Sequence, residues 1–222
     1  QRTFLAGAAT ATAALGVQAT TQAQQADSPR GDGTPRSDNA TVNNPEARLE
    51  FHGEHQQGII NQPQKYAEIV ALDIQQGDRA RLEQLLRTIT ERSRALTAGG
   101  ATAVDGIAFP ASDSGELGPD LPTDNLSITL AVGESLFDSR FGLANRKPAR
   151  LRAMEAFADD TLNPDLCHGD LVLQICADQH DTVTHALRDI LRHTRGDVAV
   201  RWRQNGYMNE PRPTGTQRNH LG

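Results

Sequence analysis

Two amphipathic helical stretches, each entered from an apolar extended run, most constrain what this sequence can fold into. The first, "RARLEQLLRTITERSRAL", places Leu82, Leu85, Leu86, Ile89 and Leu96 at i, i+3, i+4, i+7 and i+14, one face of a helix. Asp78 stands at its N-cap position and Gly99-Gly100 closes it as a C-cap. The second, "DTVTHALRDILRH", groups Val183, Leu187, Ile190 and Leu191 on one face, with Arg188 and Arg192 on the other. Apolar runs at Lys65–Ile74 ("KYAEIVALDI") and "DLVLQICA" precede the two helices and read as buried strands.

Two more extended runs complete the pattern. "NLSITLAVG" alternates Leu126, Ile128, Leu130 and Val132 against Ser127, Thr129 and Ala131, which predicts a strand covered on one face. "VAVRWRQNGY" sets Val198, Val200 and Trp202 against Ala199, Arg201 and Arg203. A short helix is expected in "ESLFDSRFGL", with Leu136, Phe137 and Phe141 turned inward. The resulting order, β-α-β-β-α-β, is that of an α+β, ferredoxin-like fold, an antiparallel sheet with both helices on one face.

Composition narrows the function. With 22 basic and 28 acidic residues the net charge is −6, which argues against the basic footprint of a nucleic-acid binder. Aromatic residues make up 4% of the 222, too few for a base-stacking platform. The hydrophobic fraction is low, 37%, and the deficit falls mainly between Thr20 and Arg48, which leaves the rest able to build a core.

The first 26 residues read as a targeting segment: Arg2, Phe4-Leu5, an Ala-rich run, then small residues near Ala23 and Ala26. The pattern is similar to a twin-arginine export signal, with Gln1 where the first Arg belongs. The run from Phe4 to Val17 is too short and too poor in Leu and Ile to span a bilayer. Residues 27–48, rich in Pro, Gly, Ser, Asp and Asn, are expected to form a disordered linker, and the folded domain to run over 49–222. Cys167 and Cys176 lie at opposite ends of a predicted strand. The nine residue steps of extended chain that separate them span about 30 Å, well beyond the reach of a disulfide.

Histidines supply the candidate metal ligands. His52, Glu54 and His55 are close in sequence, but Gly53 disfavours the helix that would set two ligands on one face, and a polar loop is the expectation. His185 and His193 are read as part of the solvated side of the second helix. "CHGD" (Cys167–Asp170) is read as a turn, because adjacent side chains rarely form a nucleophile–base pair. No P-loop, G-x-G-x-x-G or G-x-S-x-G stretch is present.

Four segments together, "FHGEHQQGI", "DNLSITLAVGESLFDSRFGL", "LCHGDLVLQICADQHDTVTHALRDI" and "VRWRQNGY", resemble the N-terminal half of dye-decolorizing (DyP-type) peroxidases. The resemblance is to the exported branch that includes the deferrochelatase/peroxidase proteins, and it runs from about Leu49 to Gly222. It implies a haem b enzyme built of two ferredoxin-like modules, with haem held mainly by the second. Peroxide and a small-molecule reductant would be its partners, and release of iron from haem is a further role. It also implies an exported, periplasmic or extracellular location, and allows a homo-oligomer.

The family's distal site is a G-x-x-D-G stretch, and Gly222 aligns with its first Gly. The distal Asp, the distal Arg and the proximal His are accordingly expected beyond this sequence. His220 lies on the distal side and is not assigned as the iron ligand. No residue of the chain is assigned as catalytic or metal-binding, and its cofactor-contacting residues are left open. The competing readings are a standalone ferredoxin-like binding or assembly module without activity, and a metal-binding protein using the scattered histidines.

Overall fold

A computed structural model describes residues 44–75, 77–102, 113–155, 157–209 and 212–215, all within one compact unit. The expected signal segment, the loop at 103–112, His220 and Gly222 lie outside the described residues. Four strands form one antiparallel sheet: β1 (Tyr66–Ile74), β2 (Ser127–Val132), β3 (Leu171–Ala177) and β4 (Val198–Tyr207). Their spatial order is β2-β3-β1-β4, so both crossovers pass over the sheet through helices α1 (Arg79–Ala98) and α2 (His180–His193). This is the expected ferredoxin-like arrangement. The short helix expected after β2 is a single 3-10 turn, Glu134–Phe137.

The caps read from the sequence are in place. Asp78 accepts from the Arg81 amide at 3.0 Å, and Gly99, at φ 63°, ends α1 with its amide on Ala95 and Leu96 carbonyls. The core lies between sheet and helices. Val70, Leu72 and Ile74 of β1 and Leu171, Leu173 and Ile175 of β3 meet Leu85 and Ile89 of α1 and Val183 and Ile190 of α2. Arg92 of α1 grips the buried Asp189 of α2 through two bonds, 2.8 and 2.9 Å, which fixes one helix against the other.

The alternation expected for β4 fails at a bulge. Ala71 of β1 faces Trp202, but Leu72 faces Val200, so Arg201 is the extra residue. Val200 therefore stays on the helix side while Trp202 turns to the opposite side. Arg203 returns to the helix side, its Nε 2.9 Å from the buried Glu68 carboxylate. That contact is near enough for an ion pair but is not aligned as a hydrogen bond.

The expectation that β2 is covered on one face also fails, because an irregular strap, residues 44–64, runs along it. Ser127 and Thr129 are buried, receiving Gln64 Nε2 and bonding the Gln57 carbonyl respectively. The Gln56 amide both donates to and accepts from the Leu130 backbone, 3.0 and 2.8 Å, in place of a neighbouring strand. Pro45 and Ala47, on the linker side of the expected boundary, accept bonds from Thr123, Asp124 and Asn125. Gln56→Ala is expected to cost about 1 kcal/mol in urea unfolding. It should also raise concentration-dependent association, because it uncovers a sheet edge.

Candidate functional site

One sheet face carries the helices; the other carries none. On the helix-free face stand Ala67, Ile69 and Ala71 of β1, Val172, Gln174 and Cys176 of β3, and Trp202 and Gln204 of β4. Most of these side chains are small or apolar, and Ile69, Val172, Cys176 and Trp202 are half-buried. The face is thus a shallow apolar floor, a shape suited to a flat ligand or to another layer of protein.

Its rim is built by close backbone approaches. Gly169, at φ 139°, lies over Ala71; a Cβ there would sit 3.0 Å from the Ala71 methyl. The Trp202 indole donates to the His168 carbonyl at 2.8 Å. The bulge turns Arg201 onto the same crossing, where it bonds the Cys167 and Pro164 carbonyls and the Asp73 carboxylate. At the opposite side Gly58, at φ 83°, passes over Thr129 and Gln174.

The crossing is locked by Asp170, the last residue of the "CHGD" turn. Its buried carboxylate accepts from the Ile74 amide (2.9 Å), the Ser135 hydroxyl (2.7 Å) and two Arg140 nitrogens (3.0 and 2.8 Å). Burial alone would raise its pKa, but the hydrogen bonds from Arg140, Ser135 and Ile74 outweigh this and hold the carboxyl below the usual range. Cys167 Sγ bonds the Asn163 carbonyl, so "CHGD" is a structural turn with its carboxylate engaged elsewhere.

The other candidates are dispersed. His52, Glu54 and His55 are exposed on the strap and in no helix. His185, expected on a solvated face, is instead buried, its Nε2 2.6 Å from Asp113. The reversal comes from a loop 72 residues away in sequence that folds over α2 and adds a second pair, Glu116 with Arg188. His193 Nδ1 bonds the Asp189 carbonyl, and His180 packs edge-on against Tyr66. Both cysteines are free thiols, and burial pushes the Cys176 thiol up. Among the described residues no group of three or more His, Cys, Asp or Glu could hold a metal ion. Nor, among them, is any helix long and apolar enough to cross a membrane.

These residues do not by themselves fit a haem-holding site. The floor residues include no histidine, and burial disfavours the thiolate of Cys176, the one sulfur among them. Arg201, which the bulge turns onto the rim of the floor, is already ion-paired with Asp73. The face fits the role of a wall.

Fold and site together define an α+β sheet module with one helix-covered face and one helix-free, mostly apolar face. Residues 56–208 match the family described as Dyp-type peroxidase, N-terminal, and the chain belongs to that family. It is 48% identical over 170 residues to the deferrochelatase of Escherichia coli K12, covering 75% of this chain and 40% of the relative. Among solved structures, the DyP-type peroxidase from Cellulomonas bogoriensis is 36% identical with a TM-score of 0.68, over 78% of this chain and 46% of that one. The DyP-type peroxidase from Streptomyces coelicolor is 31% identical, TM-score 0.66, over 79% and 46%. The chain therefore spans less than half the length of the relatives it matches.

Proposed function

We propose that this chain is the N-terminal module of a haem b peroxidase and presents its helix-free sheet face as one wall of the haem site. The axial ligand and the distal acid and Arg come from outside this sequence. The observation that carries this reading is a mostly apolar face bearing no histidine, in a chain of the DyP-type family. When bound, haem would supply the oxidising chemistry with peroxide, drawing electrons from a small-molecule reductant. This chain's residues shape the cavity and exclude water from one side of it. The relatives' name, deferrochelatase, favours release of iron from haem as a second role of the same site. Residues 1–26 would serve as a twin-arginine-type export signal and the stretch from residue 27 to the start of the strap as a linker, for a protein that acts outside the cytoplasm.

A chimera tests the proposal. Residues 56–208 would replace the matching stretch of the Escherichia coli deferrochelatase. The expected product takes up haem and oxidises a dye with peroxide. Ile69→Trp, on the floor, should lower haem occupancy at least about tenfold, while Gln84→Trp, on the solvent side of α1, should not change it. A folded chimera that takes up haem equally with and without Trp at position 69 overturns the wall assignment.

A further inference from the structure

On the helix side of the sheet, away from the floor, a cleft of about 290 Å³ opens where the strap, α1 and the edge strand β2 meet. Ile89 of α1, Ile128 and Leu130 of β2 and Phe51 of the strap give it apolar walls. The Phe51 ring is itself held in place, with the Arg94 guanidinium 5.1 Å from its centre and the His52 ring edge-on at 5.0 Å. Two buried polar side chains interrupt these walls, Gln57 at 3% exposure and Ser93 at 4%. Gln57 Nε2 donates to the Leu49 carbonyl at 3.1 Å, but Gln57 Oε1 is buried with no hydrogen-bond partner among the described residues. Ser93 adds a hydroxyl, able to donate or to accept.

We propose that this cleft is a binding site for a small uncharged aromatic molecule carrying one N–H or O–H donor. Its volume lies at the low end for ligand pockets, which suits one ring or two fused rings and is too small for a macrocycle. Aliphatic walls with one fixed aromatic ring favour a flat apolar body. No Asp, Glu, Lys or Arg lines the cleft, so an ion would leave water without a counter-charge. Gln57 Oε1 can only accept, and a buried acceptor left unmade is costly, so a ligand that brings a donor to it gains more than one that cannot. The cleft and the floor lie on opposite sides of the sheet, so this site is independent of whether the floor meets haem.

Isothermal titration calorimetry of the 222-residue chain with indole, and with 1-methylindole, reads the site directly. The two probes share a ring system, and only indole carries the donor. The expected result is saturable one-to-one binding of indole, with 1-methylindole at least about tenfold weaker, the scale of one lost hydrogen bond in a buried site. Thr90→Trp, which puts a large side chain at the mouth of the cleft, should abolish indole binding, whereas Gln84→Trp on the solvent side of α1 should leave it unchanged. Gln57→Met removes the acceptor and should bring indole down to the affinity of 1-methylindole. Circular dichroism of each variant separates a lost site from a lost fold, and the comparison of the two probes on the unaltered chain needs no variant at all. Absence of saturable indole binding, equal affinity for the two probes, or binding indifferent to a folded Thr90→Trp chain would each overturn the proposal.

Discussion

Asp170→Ala is expected to lower the unfolding free energy by about 3 kcal/mol, the scale for breaking a buried charged pair. The loss comes from several partners at once. The Ile74 amide is left without its acceptor at the end of β1, Ser135 loses its bond, and the Arg140 guanidinium loses its anchor to the sheet. Arg140 is itself 39% exposed, so water can solvate it and the cost stays below the extreme for a fully buried pair. Asp170→Asn keeps an acceptor for Ile74 and should lose about half as much.

The pH dependence has a definite sign. Asp170 has a folded pKa below its unfolded value of about 3.9. Its contribution is therefore present above that value and is lost as pH falls through the folded pKa. The stability gap between wild type and Asp170→Asn should be constant from pH 7 to pH 5 and shrink below about pH 4. Asp113 acts in the same direction. Burial opposes ionisation there, but the Gly115 amide and His185 outweigh it and hold the carboxyl low. Asp124 acts oppositely, because burial pushes its carboxyl up. Urea unfolding at each pH measures the gap.

Gly133→Ala is expected to cost about 3 kcal/mol for a different reason, steric overlap plus one lost hydrogen bond. Gly133 has φ −84° and ψ 167°, open to any residue, so backbone strain is not involved. Space is the obstacle. A Cβ would fall 1.9 Å from the Gly169 carbonyl oxygen, and the Gly133 amide donates to the Asp170 carbonyl at 2.8 Å. Two backbones cross here, and neither can yield as a side chain would. Gly206→Ala is the matched control: its Cβ would make an ordinary 3.8 Å contact with Ala67, and stability should stay within about 0.5 kcal/mol. Because Gly133 and Asp170 hold the same crossing, the double variant should lose less than the sum of the two.

The helices and strands were legible because each carries its own period and caps, as Asp78 and Gly99 do for α1. Features that depend on distant partners were not. Nothing local in "VAVRWRQNGY" marks the bulge at Arg201, since the offset is set by pairing with β1, and the error moved Trp202 to the wrong face. The strap has no hydrophobic period, because it is held by side-chain amides such as Gln56. His185 lies on the polar flank of a helix and is buried only by Asp113's loop. The floor of the candidate site was legible as strand residues, but not as a site: alanines and a valine announce no chemistry, and only the family resemblance gave them a use.

On the proposed reading this chain contributes a wall and no axial ligand. Titrating haem into the 222-residue chain while recording the Soret region separates a wall from a ligand-bearing site. The expected result is weak binding with no histidine-ligated spectrum and no peroxide-dependent dye oxidation. A stoichiometric, histidine-ligated complex that turns over peroxide would contradict it.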